Sequence, residues 1–201
     1  MPLPSPANRN VVADAGRIIA GSARGIRLEA PGPGTRPLAD RVKQTLFAIL
    51  EPDLPGARVL DLYAGSGAAG LEALSRGAAH VTFVERDAGA TAVISRNLGH
   101  ARLNDRDVAI VRGDVLSWLR GRAAPNVAPI DVAIVDPPYD EPTLLVDALE
   151  AVQPILSPNA RVVAKHFWKE RPPERIGLLA SERERRFGET SLTFYRRVED
   201  R

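Results

Sequence analysis

The chain has 201 residues, 44% of them hydrophobic, with 27 Lys and Arg against 25 Asp and Glu for a formal charge of +2. That is enough apolar material for one good core, yet no stretch approaches the roughly 18 apolar residues that a membrane span needs. The absence of cysteine excludes a disulfide framework, a thiolate nucleophile and a cysteine zinc site, and the Pro- and Asn-rich start has no apolar export segment, so a soluble, cytoplasmic protein is expected.

Residues 1–15 show no periodicity and read as a disordered tail. Residues 16–50 form an extension in which Arg17, Arg24, Arg27, Arg36, Arg41 and Lys43 are spaced through glycine-rich chain, a candidate hairpin leading into an amphipathic helix from Asp40 to Leu50. The main domain, 51–201, alternates strand candidates (57–62, 80–85, 107–112, 130–136, 160–166) with helix candidates (67–76, 88–102, 114–121, 142–153). Such alternation predicts an α/β fold with a mostly parallel sheet covered on both faces. After Ile176 the pattern changes. The apolar runs at 176–180 and 189–196 flank the charged Ser181 to Arg186, which predicts an antiparallel hairpin at the sheet edge with that charged run as its connection. Asp61, Glu85, Asp114 and Asp136 then fall at strand ends along one rim, where ligands of such sheets bind.

Two motifs carry chemistry. Between the first strand and helix, Asp61-Leu-Tyr-Ala64-Gly65-Ser66-Gly67-Ala-Ala-Gly70 is a glycine-rich cradle that brings backbone N–H groups and a helix start to a ligand. Read literally it is also the dinucleotide fingerprint, with Glu85 placed 20 residues after Gly65, so a nicotinamide enzyme competes. At the end of the fourth strand, Asp136-Pro137-Pro138-Tyr139 forms a stiff exit: the prolines leave outward-facing carbonyls, Asp136 and the Pro137 carbonyl accept from an amine, and Tyr139 offers a stacking face. This clamp has no hydride-transfer role, and Asp61 suits a cationic amino-acid group. Both favour S-adenosylmethionine. Under that reading Glu85 accepts from the ribose, Arg86 flanks the adenine, Asp114 accepts from the adenine amine with the Val115 N–H beside it, and Asp61 holds the amino-acid end. The alternative for any of these carboxylates is a helix cap, and Asp114 is an especially good one.

Charge is unevenly spread, net +4 over residues 1–50, −5 over 51–164 and +3 over 165–201. Basic ends around an acidic middle suit a polyanion met around a pocket for a cationic cofactor, although a solvated basic surface is the plainer reading. His80, His100 and His166 lack metal spacing, and no metal is required. Trp118 and Trp168 read as packing residues, although Lys165-His166 beside Trp168 leaves base stacking open.

Taken together, Arg17-Ile-Ile-Ala-Gly21, Arg24-Gly-Ile-Arg27, Thr35-Arg36-Pro37, Asp40-Arg41-Val-Lys43, the cradle and the clamp resemble the bacterial 16S ribosomal RNA guanine-N2 methyltransferases of the RsmD type. The resemblance implies a Rossmann-like class I methyltransferase with a mostly parallel seven-stranded sheet, an antiparallel edge hairpin and a small N-terminal hairpin. It implies methyl transfer to a guanine N2 in 16S ribosomal RNA within the small subunit, by a monomer whose RNA contacts are Arg17, Arg24, Arg27, Arg36, Arg41, Lys43 and Lys165. Arg36 and Arg41 pairing with Asp40 or Glu51 is the alternative for the extension. Lys165-His166 stands where the family pattern leads us to expect an acidic residue. An adenine-DNA or protein-glutamine N-methyltransferase is the competing activity, since both share the clamp.

Overall fold

The computed structural model describes residues 13–32, 38–121, 128–139, 141 and 143–199. Two short strands, β1 (Asp14–Arg17) and β2 (Arg27–Glu29), pair as an antiparallel hairpin, and α1 (Asp40–Leu50) follows. The tail expected over 1–15 therefore stops short of Asp14 and Ala15, which are strand, and its residues 1–12 lie outside the described chain, as does Arg36. Then come β3 (Arg58–Leu62), α2 (Ala68–Ser75), β4 (His80–Glu85), α3 (Ala88–His100), β5 (Asp107–Arg112), α4 (Val115–Gly121), β6 (Ile130–Val135), α5 (Thr143–Ala151), β7 (Leu156–Phe167), β8 (Arg175–Ile176), β9 (Leu179–Phe187) and β10 (Thr190–Arg197).

The main sheet runs β5-β4-β3-β6-β7-β10-β9-β8, parallel from β5 to β7 and antiparallel beyond. It has eight strands rather than seven, because Arg175–Ile176 adds a short edge. Ser181 to Arg186, expected as a connection, lies inside β9. Glu182 pairs across the strands with Arg161 and Arg196, and Glu184 pairs with Arg171 in the segment after β7, so the acidic residues of the run are held by partners while Arg183, Arg185 and Arg186 stay exposed.

Alternate residues of the strands fill two cores. Val59, Val81, Phe83, Val132 and Val163 face α1, α2, α3 and the N-terminal hairpin; Leu60, Leu62, Val84, Val135 and Val162 face α4 and α5. No described helix is long and apolar enough to cross a membrane.

The hairpin is fastened to α2 through buried polar groups. Glu72, fully buried, accepts from the Ile19 and Ala20 N–H groups at 2.7 and 3.0 Å and from Arg76 Nε at 2.8 Å. Ser75 accepts from Ala23 N and donates to the Ala20 carbonyl. The approach is so close that a Cβ on Gly21, at φ +83°, would stand 1.8 Å from the Ser75 carbonyl oxygen. Lys43, assigned to RNA from the sequence, is also a fastener: it is fully buried and donates to the Arg17 carbonyl, since α1 turns that face inward. Burial pulls its ammonium below the ordinary lysine range, with Glu72 and Asp40 opposing.

Candidate active site

The carboxyl ends of β3, β4, β6 and β7 open into a cleft of about 660 Å³, roofed by Leu38, Ala39, Val42 and Leu46 of the N-terminal segment. Its floor is the cradle. The chain leaves β3 through Tyr63 at φ 61°, Gly65 at 54° and Gly67 at 76° and enters α2. Gly67 has no side chain to cap that helix, and Asp61 supplies the missing acceptor from the strand: its Oδ2 takes the Gly70 N–H at 2.8 Å. Glycine is required at 70, where a Cβ would stand 2.2 Å from the Phe83 ring.

Three of the four rim carboxylates, Asp61, Glu85 and Asp136, line the cleft. Asp61 is buried, and burial pushes its pKa up to about 8, with the Gly70 N–H opposing and the Asp136 and Glu85 charges adding. Glu85 reaches back over the cradle, accepting from Gly65 N and Asp87 N, each at 2.9 Å. Arg86, at the mouth, pairs with Glu141. Asp114 is outside the lining and caps α4 by accepting from Ser117 N at 2.8 Å, a bond that holds its carboxyl below the ordinary range; Val115 beside it is buried.

The clamp forms where β6 ends. Asp136 N donates to the Leu62 carbonyl, Pro137 is buried, and Tyr139 is braced by its hydroxyl against Thr190 Oγ1 at 3.0 Å. Asp136 does not stand alone. Lys165 Nζ, from β7, lies 2.7 and 2.8 Å from its two oxygens and 5.2 Å from the Tyr139 ring centroid. Lys165, expected to contact RNA, is turned toward Asp136 and has a side chain only 13% exposed. Burial disfavours its charge, but the Asp136 carboxylate and Tyr139 together outweigh that and hold the ammonium above its ordinary range.

Of the other residues assigned to RNA, Arg17 pairs with Asp40 and Arg27 with Asp14, while Arg24 and Arg41 are exposed. Sequence reasoning missed Glu72, whose signal is a lone carboxylate in an otherwise apolar helix, and Tyr63, which lines the cleft in a left-handed conformation with a buried hydroxyl lacking a partner among the described residues. Burial first, then Asp114 and Glu141, pushes the Tyr63 pKa up to about 12.

Burial, with the Asp136 and Glu85 charges adding, favours the neutral Asp61 carboxyl, and three acidic groups in one cleft suit a cationic ligand. S-adenosylmethionine would meet Asp61 at its ammonium end, Glu85 at its ribose and the cradle backbone at its amino-acid part. No group of three or more metal-binding side chains occurs among the described residues.

The family model described as conserved hypothetical protein 95 matches residues 16–196. The chain is similar to the Bacillus subtilis (strain 168) protein YlbH, named as a candidate rRNA methyltransferase, with 36% identity over 184 residues that cover 90% of this chain and 98% of the relative. It is also similar to ribosomal RNA small subunit methyltransferase D of Escherichia coli K12, with 42% identity over 124 residues, 61% of this chain and 60% of the relative. Among solved structures, an Escherichia coli protein described as a candidate methyltransferase, yhhF, superposes with a TM-score of 0.78 at 32% identity, covering 92% of this chain and 98% of the other.

Proposed function

The chain belongs to the conserved hypothetical protein 95 family, and from that membership we propose that it transfers the methyl group of S-adenosylmethionine to the exocyclic N2 of a guanine in 16S ribosomal RNA. The single observation that carries the reading is the clamp beside the cradle, an amine-accepting carboxylate and a stacking ring lining the same cleft as Asp61 and Glu85. Relatives that bear ribosomal RNA methyltransferase names supply the substrate class.

When bound, S-adenosylmethionine supplies an electrophilic methyl on a sulfonium. The residues of the chain do the rest. A guanine N2 lone pair is delocalised into the ring, so the site must draw it out of the plane and align it for in-line attack. Asp136 and the Pro137 carbonyl accept the two N–H bonds, and once N2 has gained the methyl its surplus proton passes to Asp136 or to water. A carboxylate has about four acceptor positions, so Asp136 can hold Lys165 and an amine together. Tyr139, locked by Thr190, stacks on a base that has left its neighbours. The enzyme acts as a monomer on the assembled small subunit in the cytoplasm.

Methyl transfer from labelled S-adenosylmethionine to undermethylated small subunits, naked ribosomal RNA and duplex DNA tests this, with nucleoside analysis of each product. N2-methylguanosine from subunits is expected. N6-methyladenine in DNA, or no nucleic-acid product, would overturn it.

A further inference from the structure

An aromatic row leaves the cleft at the clamp. The ring centroids of Tyr139 and Phe167 are 6.4 Å apart, and those of Phe167 and Trp168 6.3 Å. Cations interleave with it: Arg186 lays its guanidinium carbon 3.6 Å from the Trp168 centroid, and Lys169 Nζ lies 5.3 Å away. The row is assembled at one rim from the turn after β6, the end of β7 with the turn that follows it, and the end of β9. The Trp168 backbone N–H donates to the Glu189 carbonyl at 3.0 Å, and Arg186 Nε donates to the Gly188 carbonyl at 2.9 Å.

Packing does not account for this arrangement. Trp118 packs against the core that faces α4 and α5, whereas neither Phe167 nor Trp168 packs against either core. Both are part-exposed, and what covers the Trp168 ring is charge, from exposed Lys169 and Arg186. A guanidinium carries five donor N–H groups, and among the described residues the only bond from the Arg186 side chain is to Gly188, so the rest are turned to solvent.

We propose that Phe167, Trp168, Lys169 and Arg186 form the seat for the single-stranded RNA nucleotides that flank the base held at Asp136. A target base taken out of its stack leaves neighbours with a bare face. Trp168 and the guanidinium over its ring supply a stacking surface, and Lys169 and Arg186 pair with phosphates, the combination that grips single strands without reading sequence. The inference rests on the reading of the cleft as a site of RNA methyl transfer, and it extends the footprint past the clamp to a second nucleotide.

The test uses the full chain with Trp118→Phe, which leaves Trp168 as the only tryptophan, titrated with a short single-stranded oligoribonucleotide. Saturable quenching of Trp168 fluorescence is expected. Trp168→Leu and Arg186→Gln should each weaken RNA binding by about 5- to 10-fold and raise KM on small subunits similarly, at unchanged affinity for S-adenosylmethionine, which also reports intact folding. RNA binding and KM equal to the parent in both variants, or saturation without quenching, would overturn the seat while leaving the methyltransferase reading intact. Displacement of the RNA by a poly-glutamate peptide at lower concentration would reassign the seat to an acidic protein. No methyl transfer to any ribosomal acceptor by the parent would sink the functional reading and this proposal with it.

Discussion

Lys165 donates to both oxygens of Asp136, at 2.7 and 2.8 Å, because the β6–β7 register sets Val135 beside Ala164 and so brings the next residue of each strand together. The pair fixes the carboxylate proposed to receive the amine. Lys165→Met should lower kcat by roughly 10- to 100-fold, the worth of a charge-assisted hydrogen bond, with the Kd for S-adenosylmethionine unchanged. Lys165→Arg should recover part of the loss. Steady-state kinetics beside calorimetry checks both, and an unchanged kcat in Lys165→Met would remove Lys165 from the clamp.

Asp61, with a pKa near 8 against an ordinary 3.8, keeps its proton in the folded chain across the interval between. A cation placed beside it favours the ionised form, so cofactor binding should expel a proton there and tighten as pH rises toward 8, then level off. For folding, the sign is that of a raised carboxylate: its favourable neutral state is fully available below 3.8 and is lost as pH rises through about 8. Calorimetry in two buffers of different ionisation enthalpy reads the proton directly. Asp61→Asn should abolish the release; a persistent release in that variant would assign the proton elsewhere.

Glu72 holds the N-terminal hairpin through two backbone N–H groups and Arg76. Glu72→Ala leaves these unpaired in a buried setting, which should cost about 3–5 kcal/mol and lower Tm by roughly 10 °C. Thermal unfolding by circular dichroism measures it, and a shift of only a degree or so would mean that the hairpin is held by its apolar contacts alone.

Gly21→Ala should detach the same hairpin by a different route, since its Cβ would meet the Ser75 carbonyl at 1.8 Å in a left-handed backbone. Limited proteolysis should cut between Arg17 and Arg27 in this variant and spare the parent.

Much of this architecture was legible in the sequence because it rests on local pattern. The alternation of apolar strands and helices set out the parallel half of the sheet, Asp40 to Leu50 is the helix its spacing predicts, and the cradle and clamp sit at strand ends as glycine and proline chemistry requires. What escaped depends on which face or partner a side chain meets. Lys43 and Lys165 look like other basic residues until α1 buries the first and β7 aims the second at Asp136. The charged stretch within β9 reads as a loop until its partners on β7 and β10 are known. Glu72 sits in the helix expected over 67–76, yet its backbone partners lie more than 50 residues away.

Asp136 is proposed to act on the acceptor amine and not on the cofactor. The decisive comparison is Asp136→Asn, nearly isosteric with the carboxylate, assayed for methyl transfer to undermethylated small subunits and, in the same preparation, for S-adenosylmethionine binding by calorimetry. Turnover should be lost while the Kd stays within about twofold of the parent, as expected for an interaction made only with the reacting acceptor. Equal loss of binding and turnover, or turnover that survives, would refute that role.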